Sequence, residues 1–302
     1  YMISILHLIR YKNLLMVFLS MFLTKYFLIE SFISSPLLSD IDFIILTISI
    51  LLITMGGYLI NDIYDIESDK INKPDKVYIT TIISIKNGQF LYFLTSITGL
   101  ILGLYLSVNK NLNHLSGYFI VTVIILFVYT KILKKLPLIG NVIVALLVSL
   151  PIFLVYEFDH SMISIKDIFD DLFLSIIIFF YLLFAFLTTL IREIIKDLQD
   201  IKGDNKLKLK TLPIMIGKKR TINFLIFLSF LLQLLLLMVL IDSFKNDQYL
   251  ILFFLITLSL LVVYLIYKLR VPFKNNQYQL LSSLMKIIML VGVLSMTVFK
   301  FN

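Results

Sequence analysis

The chain has 302 residues, of which 60% are hydrophobic and only 15% charged, with a formal net charge of +8. A mean hydropathy of +0.99 excludes an ordinary soluble domain, in which about a quarter of residues are charged. The absence of cysteine excludes disulfides, thiolate metal sites and cysteine nucleophiles, and His7, His114 and His160 fall at no ligand spacing.

Apolar runs near bilayer-spanning length recur from end to end, which predicts an all-α, polytopic membrane protein. The first run covers residues 14–33, behind a basic flank containing Arg10, Lys12 and Asn13, with no small-residue cleavage site after it. Residues 43–60 form the second and deliver Asn61-Asp62-Ile63-Tyr64-Asp65-Ile66-Glu67-Ser68-Asp69. Gly56 and Gly57, one turn earlier, would let a neighbouring helix or a ligand approach the backbone. A polar loop with Asn72, Lys73, Pro74, Asp75 and Lys76 follows, its proline stopping the helix. The third and fourth runs are 90–108 and 118–133, the fourth ending in Tyr129-Thr130-Lys131-Ile132-Leu133-Lys134. The fifth, 138–156, has Asn141 near its start and Pro151 inside it, where a kink is expected. The sixth, 172–195, leads into Asp197-Leu198-Gln199-Asp200-Ile201-Lys202-Gly203-Asp204. Runs at 222–241, 249–267 and 280–299 complete nine spans around a central apolar cavity, in a single integral-membrane domain over residues 1–302.

Lys and Arg orient the bundle. On the N-terminal side of the membrane lie 21 of the 27, against four opposite (Lys110, Lys166, Lys245, Lys300) and two within spans (Lys25, Lys286). The positive-inside rule therefore places the N-terminus and both acidic stretches in the cytoplasm, in a prokaryotic cytoplasmic membrane. It also accounts for the basic charge without a nucleic-acid partner.

Asp62, Asp65 and Asp69 repeat the spacing of Asp197, Asp200 and Asp204. Steps of three and four return to one helix face, so each triad is expected to line one side of a helix over two turns. Aligned carboxylates repel one another unless a cation sits between them, and Mg2+ prefers carboxylates shared with a substrate's phosphates. Arg10, Lys73, Lys76, Lys134 and Arg192 would donate charge-assisted bonds to phosphate oxygens. A hydrocarbon-lined interior suits a long tail, and the three features together describe a site for a lipidic diphosphate. Two other classes compete. A cation-coupled transporter would use intramembrane acids with Lys25 or Lys286, but needs its acids near the midplane. A non-catalytic assembly subunit would have its interior filled by side chains.

The motifs also carry a resemblance. Asn61-x-x-x-Asp65-x-x-x-Asp69 with Asn72-Lys73-Pro74 resembles the first aspartate-rich motif of the UbiA superfamily of intramembrane prenyltransferases, and Asp200-x-x-x-Asp204 the second. Arg192-Glu193-Ile194-Ile195-Lys196-Asp197 through Asp204, then Lys210-Thr211-Leu212-Pro213, is similar to the branch containing digeranylgeranylglyceryl phosphate synthases. Tyr129 to Lys134 resembles the family's Tyr-Ser/Ala-x-x-Leu-Lys segment, and Arg10 with Asn13 its N-terminal arginine. The chain departs from many relatives after Pro74, where Asp75-Lys76-Val77-Tyr78-Ile79-Thr80 replaces a proline-rich turn. The resemblance implies catalytic Asp65, Asp69, Asp200 and Asp204. With Asn61 they would hold Mg2+ against a polyprenyl diphosphate, Asp62 and Asp197 supporting them. Arg10, Asn13, Lys73, Lys76, Tyr129, Lys134 and Arg192 would contact substrate. Tyr58, Tyr129 and Tyr181 are the aromatic faces expected near the reacting carbon. The implied acceptor is a glycerol-phosphate lipid, forming an ether, or alternatively an aromatic ring on the way to a quinone. Membrane lipids are the remaining partner.

Overall fold

Nine helices among the described residues are long and apolar enough to cross a membrane. The structure is a computed structural model that describes residues 6–33, 37–72, 74, 77–160, 168–245, 248–271 and 277–301. Lys73, Asp75 and Lys76 lie outside the described residues.

Helix α1 is Tyr11–Leu23, continued by a π-helical turn over Thr24–Ile29. Next come α2 (Asp40–Tyr64), the short α3 (Ile66–Asn72), α4 (Ile85–Asn109), α5 (Ser116–Lys131) and α6 (Ile139–His160). Then follow α7 (Ile168–Lys206), the short α8 (Leu212–Ile216), α9 (Lys218–Lys245), α10 (Tyr249–Arg270) and α11 (Gln277–Leu294). No strand occurs among the described residues, only an isolated bridge between Ile79 and Ile83. Each expected span overlies an observed one, with ends within a few residues except the sixth, whose helix runs on from residue 195 to Lys206.

Caps explain several boundaries. Ser39 accepts from the Asp42 amide at 3.3 Å, with Asp40 and Asp42 in the first turn of α2 against its positive end. Ser84 does the same for α4, accepting from the Asn87 amide at 3.2 Å. Pro151 sits inside α6, buried, with the helix continuing through it. Helix α7 has 39 residues, about 58 Å at 1.5 Å per residue. It therefore overshoots a hydrocarbon layer of about 30 Å, and the polar C-terminal turns of α7 form that overshoot.

Two apolar clusters make the core. One joins α7, α9, α10 and α11 through Leu190, Ile194, Leu232, Val262 and Met285. The other joins α1, α2, α5 and α6 through Met21, Leu46, Phe119 and Val155. Helices α2 and α4 cross closely. A Cβ at Gly99 would lie 2.8 Å from the Ser49 carbonyl oxygen, and the Ser49 hydroxyl donates to the Gly99 carbonyl at 2.7 Å. Gly56 faces Ser96 and Gly57 faces Leu126, so this small-residue stretch serves helix packing rather than ligand approach.

The two acidic stretches differ in backbone. Asp197, Asp200 and Asp204 share one uninterrupted helix, as the spacing predicts. The first triad does not: Asp65 breaks the chain between α2 and α3 at φ −95°, ψ 4°. That bridge conformation recurs at active sites. The Asp65 amide still donates to the Asn61 carbonyl at 2.9 Å, and the Asp69 amide to the Asp65 carbonyl at 2.8 Å. Four-residue hydrogen bonding crosses the break, so the motif turns a corner without unwinding.

Candidate active site

Helix α2 ends at Tyr64, and the short α3 that follows it packs against α7. The Gly203 amide on α7 donates to the Asn72 side-chain oxygen of α3 at 2.9 Å. The acidic stretches therefore meet at one end of the bundle, although they lie far apart in sequence.

A web of cations and carboxylates fills the junction. Arg10, just before α1, pairs with Asp62, and its guanidinium lies 4.9 Å from the centre of the Tyr58 ring. Asn13 lies near the Tyr58 hydroxyl, completing the N-terminal group. Lys134, in the turn after α5, pairs with Asp65. Asn141 of α6 donates to Asp197 at 2.9 Å. Tyr129 lies within electrostatic reach of Glu193, Asp65 and Asp197, spanning the two stretches. A small polar cavity of about 30 Å³ is bounded by Tyr129, Lys134, Asn141, Glu193, Asp197 and Thr211.

Sequence reasoning passed over part of this wall. Glu193 accepts two bonds from Lys196, both 2.8 Å, and one from Arg192 at 3.3 Å. The three-residue step from Glu193 to Lys196 is a helix-face spacing, and was the available signal. For Asn141 and Thr211 the signal was weak: one polar residue at a span's start, one before a proline.

Part of the bundle's spare polar capacity lies here, with more on Thr47, Thr189, Gln233 and Ser259. The Asn61 Oδ1, Arg192 Nε and Thr211 Oγ1 atoms are buried and have no hydrogen-bond partner. A buried unsatisfied polar atom costs ~1–3 kcal/mol, so these atoms are the natural places for a ligand. Asp69 and Asp200 are half-buried and Asp204 is 6% exposed; each makes contacts of its own. Among the described residues no three carboxylates or histidines converge closely enough to chelate one ion. Asp62, Asp65 and Asp197 are turned instead toward Arg10, Lys134 and Asn141. The donor set still fits a hard cation: it is all oxygen, lies on both stretches, and includes the unpartnered Asn61 carbonyl.

Three sequence-based candidates lie elsewhere. Tyr181 precedes Asp197 by 16 residues on α7, about 24 Å along the axis. Its hydroxyl bonds Ser295 at 2.9 Å and its ring packs against Phe299, so it faces the opposite end of the bundle. Position within a span had been mistaken for depth near the site. Lys25 is 1% exposed and donates to the Leu38 carbonyl at 2.6 Å, with Asp159 at 3.4 Å. Those contacts close the loop between α1 and α2 and form no ion path. Lys286 is exposed on α11.

Residues 14–287 match the family model described as the UbiA prenyltransferase family. Among curated relatives, the chain is 34% identical over 170 residues to a digeranylgeranylglyceryl phosphate synthase from Sulfolobus acidocaldarius, covering 56% of each chain. The corresponding protein of Sulfurisphaera tokodaii is 35% identical over 183 residues, covering 60% of each. The chain thus aligns with less than two thirds of either relative. Among solved structures, one concerning digeranylgeranylglyceryl phosphate synthase in membranes superposes with a TM-score of 0.69 at 23% identity. It covers 100% of this chain and 99% of its own. A UbiA homolog from Archaeoglobus fulgidus bound to GPP and Mg2+ gives 0.65 at 17% identity, covering 99% and 100%.

Proposed function

Because the chain belongs to the UbiA prenyltransferase family, and so is an integral multi-pass membrane protein, we propose that it transfers a polyprenyl group inside the membrane. The donor is an isoprenyl diphosphate and the acceptor a glycerol-phosphate lipid, giving an ether bond. One observation carries the reading: two carboxylate-bearing stretches on separate helices converge at one end of an apolar bundle, among cations that suit phosphate. The relatives named digeranylgeranylglyceryl phosphate synthase favour the glycerol-phosphate acceptor over an aromatic one. Residues 1–302 act as one catalytic unit. The excess of Lys and Arg on the motif side puts the N-terminus and the site in the cytoplasm.

Asn61, Asp65, Asp69, Asp200 and Asp204 hold Mg2+. Bound there, Mg2+ supplies Lewis-acid stabilisation of the departing diphosphate. Lys134 and Arg10 donate to phosphate oxygens, and Asp65 and Asp62 fix their positions beforehand. Asn13 lies near Tyr58, whose ring seats Arg10, while Lys73, Lys76 and Arg192 add positive charge around the diphosphate. Tyr129 presents its ring to the allylic carbon as the carbon–oxygen bond ionises. The apolar walls exclude water, leaving the acceptor hydroxyl as the nucleophile at hand; as its oxygen bonds the allylic carbon, its proton passes to the departed diphosphate. Asp197, seated by Asn141, completes the acidic wall on the acceptor side.

Purified protein given a radiolabelled polyprenyl diphosphate, Mg2+ and a panel of acceptors tests the proposal. Diphosphate release coupled to an ether-linked product, abolished by a chelator, is the expected result. Product only with aromatic acceptors would move the chain to quinone chemistry, and no product with any acceptor would remove the enzyme assignment.

A further inference from the structure

The Asn72 side chain makes a direct hydrogen bond between the short helix of the first acidic stretch and the backbone of the second. The geometry points to Asn72 as a positioning residue that registers α3 against α7, setting the separation of the two carboxylate groups. It rests on the diphosphate reading above. Three observations carry it.

Gly203 is buried between Lys202 and Asp204, and its amide reaches the Asn72 oxygen at 2.9 Å. A Cβ built on Gly203 would overlap the Asn72 carboxamide itself. The glycine therefore exists to let this side chain lie flat against α7. The bond is also placed where it matters. Asn72 ends α3, three residues after Asp69, and Gly203 is adjacent to Asp204. Helix α3 is a short helix of seven residues set off from α2 by the corner at Asp65, so a contact at its far end bears on its register against α7. Fixing its far end by one side chain fixes Asp69 against Asp204. A misplacement of about 1 Å at such a site costs on the order of 100-fold in rate.

The chain contains no cysteine, so exposed Lys70 on α3 and Lys206 on α7 can be replaced by cysteine and spin-labelled without background. The distance distribution between the labels is expected to be narrow in the parent and broadened in Asn72→Ala. In unlabelled protein, Asn72→Ala should raise the Mg2+ concentration for half-maximal turnover about tenfold while leaving the acceptor KM within about twofold. Gly203→Ala should do the same and lower the melting temperature. In the Gly203→Ala background, removing the Asn72 side chain relieves the overlap. The double variant should therefore melt above Gly203→Ala alone, with Mg2+ dependence still impaired. A purely structural contact would recover both together.

An unchanged distance distribution in Asn72→Ala, or an unchanged Mg2+ dependence in a parent that needs Mg2+, overturns the registering role. So does recovery of both properties in the double variant. A parent whose turnover ignores Mg2+ instead overturns the metal reading, and the distance measurement then decides the role of Asn72 alone.

Discussion

Ion pairs sit at both ends of this bundle, but they are built differently. At the end away from the acidic stretches, the charges are saturated by structure. Lys25 meets Leu38 and Asp159, and Asp159 also accepts the Leu38 amide at 2.8 Å. Asp42 takes the Ser39 hydroxyl at 2.6 Å and pairs with Lys110, while Tyr26 donates to Asp40 at 2.8 Å. Leu38 and Ser39 lie in the loop before α2, so several of these contacts tie that loop to a helix, while Lys25–Asp159 and Tyr26–Asp40 join the first span to α6 and α2. At the other end, Arg10 and Lys134, each just outside a spanning helix, pair with Asp62 and Asp65 of the first acidic stretch, and buried polar atoms on Asn61, Arg192 and Thr211 stay unmatched, with Thr211 lining a polar cavity. One end is a closure and the other a receptacle. Charge density alone does not separate them, and neither does unused hydrogen-bonding capacity, since Thr47 Oγ1 is also buried and unmatched; the polar cavity lined by Glu193 and Asp197 does.

Breaking the closure should give the largest effect. Asp159→Ala leaves the buried Lys25 with only the more distant Glu30, at 3.9 Å, as a carboxylate partner, which costs up to ~3 kcal/mol. The expected readout is a large fall in detergent-solubilised melting temperature, with Mg2+ dependence of the surviving enzyme unchanged. Replacing both partners, Lys25→Met with Asp159→Leu, should recover most of that loss, since a buried pair exchanged for apolar groups is often neutral.

At the receptacle the ranking reverses between stability and turnover. Asp65→Ala and Asp200→Ala should each lower turnover by about 100-fold, or ~2.7 kcal/mol in the barrier, with a smaller loss of melting temperature than Asp159→Ala. Undiminished turnover in both would remove the proposed metal roles. Lys134→Met should raise the KM for the prenyl diphosphate about tenfold through one lost charge-assisted bond. Tyr181→Phe bounds the low end: it loses the Ser295 bond, worth ~1 kcal/mol of stability, and turnover should stay within about twofold. A larger catalytic effect there would return Tyr181 to the site.

The nine spans were legible because run length alone reports them when backbone groups must be satisfied within the membrane. The acidic spacing was legible too, and both stretches reach the same end. Three things were not. The corner at Asp65 leaves no mark on the pattern, since four-residue hydrogen bonds bridge it. Tyr181 was misplaced because the sequence gives order along a helix and no depth scale from the site. The partners Lys25–Asp159, Arg10–Asp62 and Asn72–Gly203 join distant segments, and only the packing of helices decides such encounters. The departure after Pro74 shows the same limit. Thr80 sits at φ 81° and Ile79 is buried, so this loop meets its constraints without the expected proline-rich turn.

The central claim is that one diphosphate bridges both acidic stretches. Melting shifts with Mg2+ and an unreactive polyprenyl diphosphate analogue, measured in the parent, Asp65→Asn, Asp200→Asn and the double variant, test it directly. A shared ligand predicts that either single substitution removes most of the shift and that the second adds little. Two independent partial losses that simply add would mean that the stretches bind separately, and the shared site would be wrong.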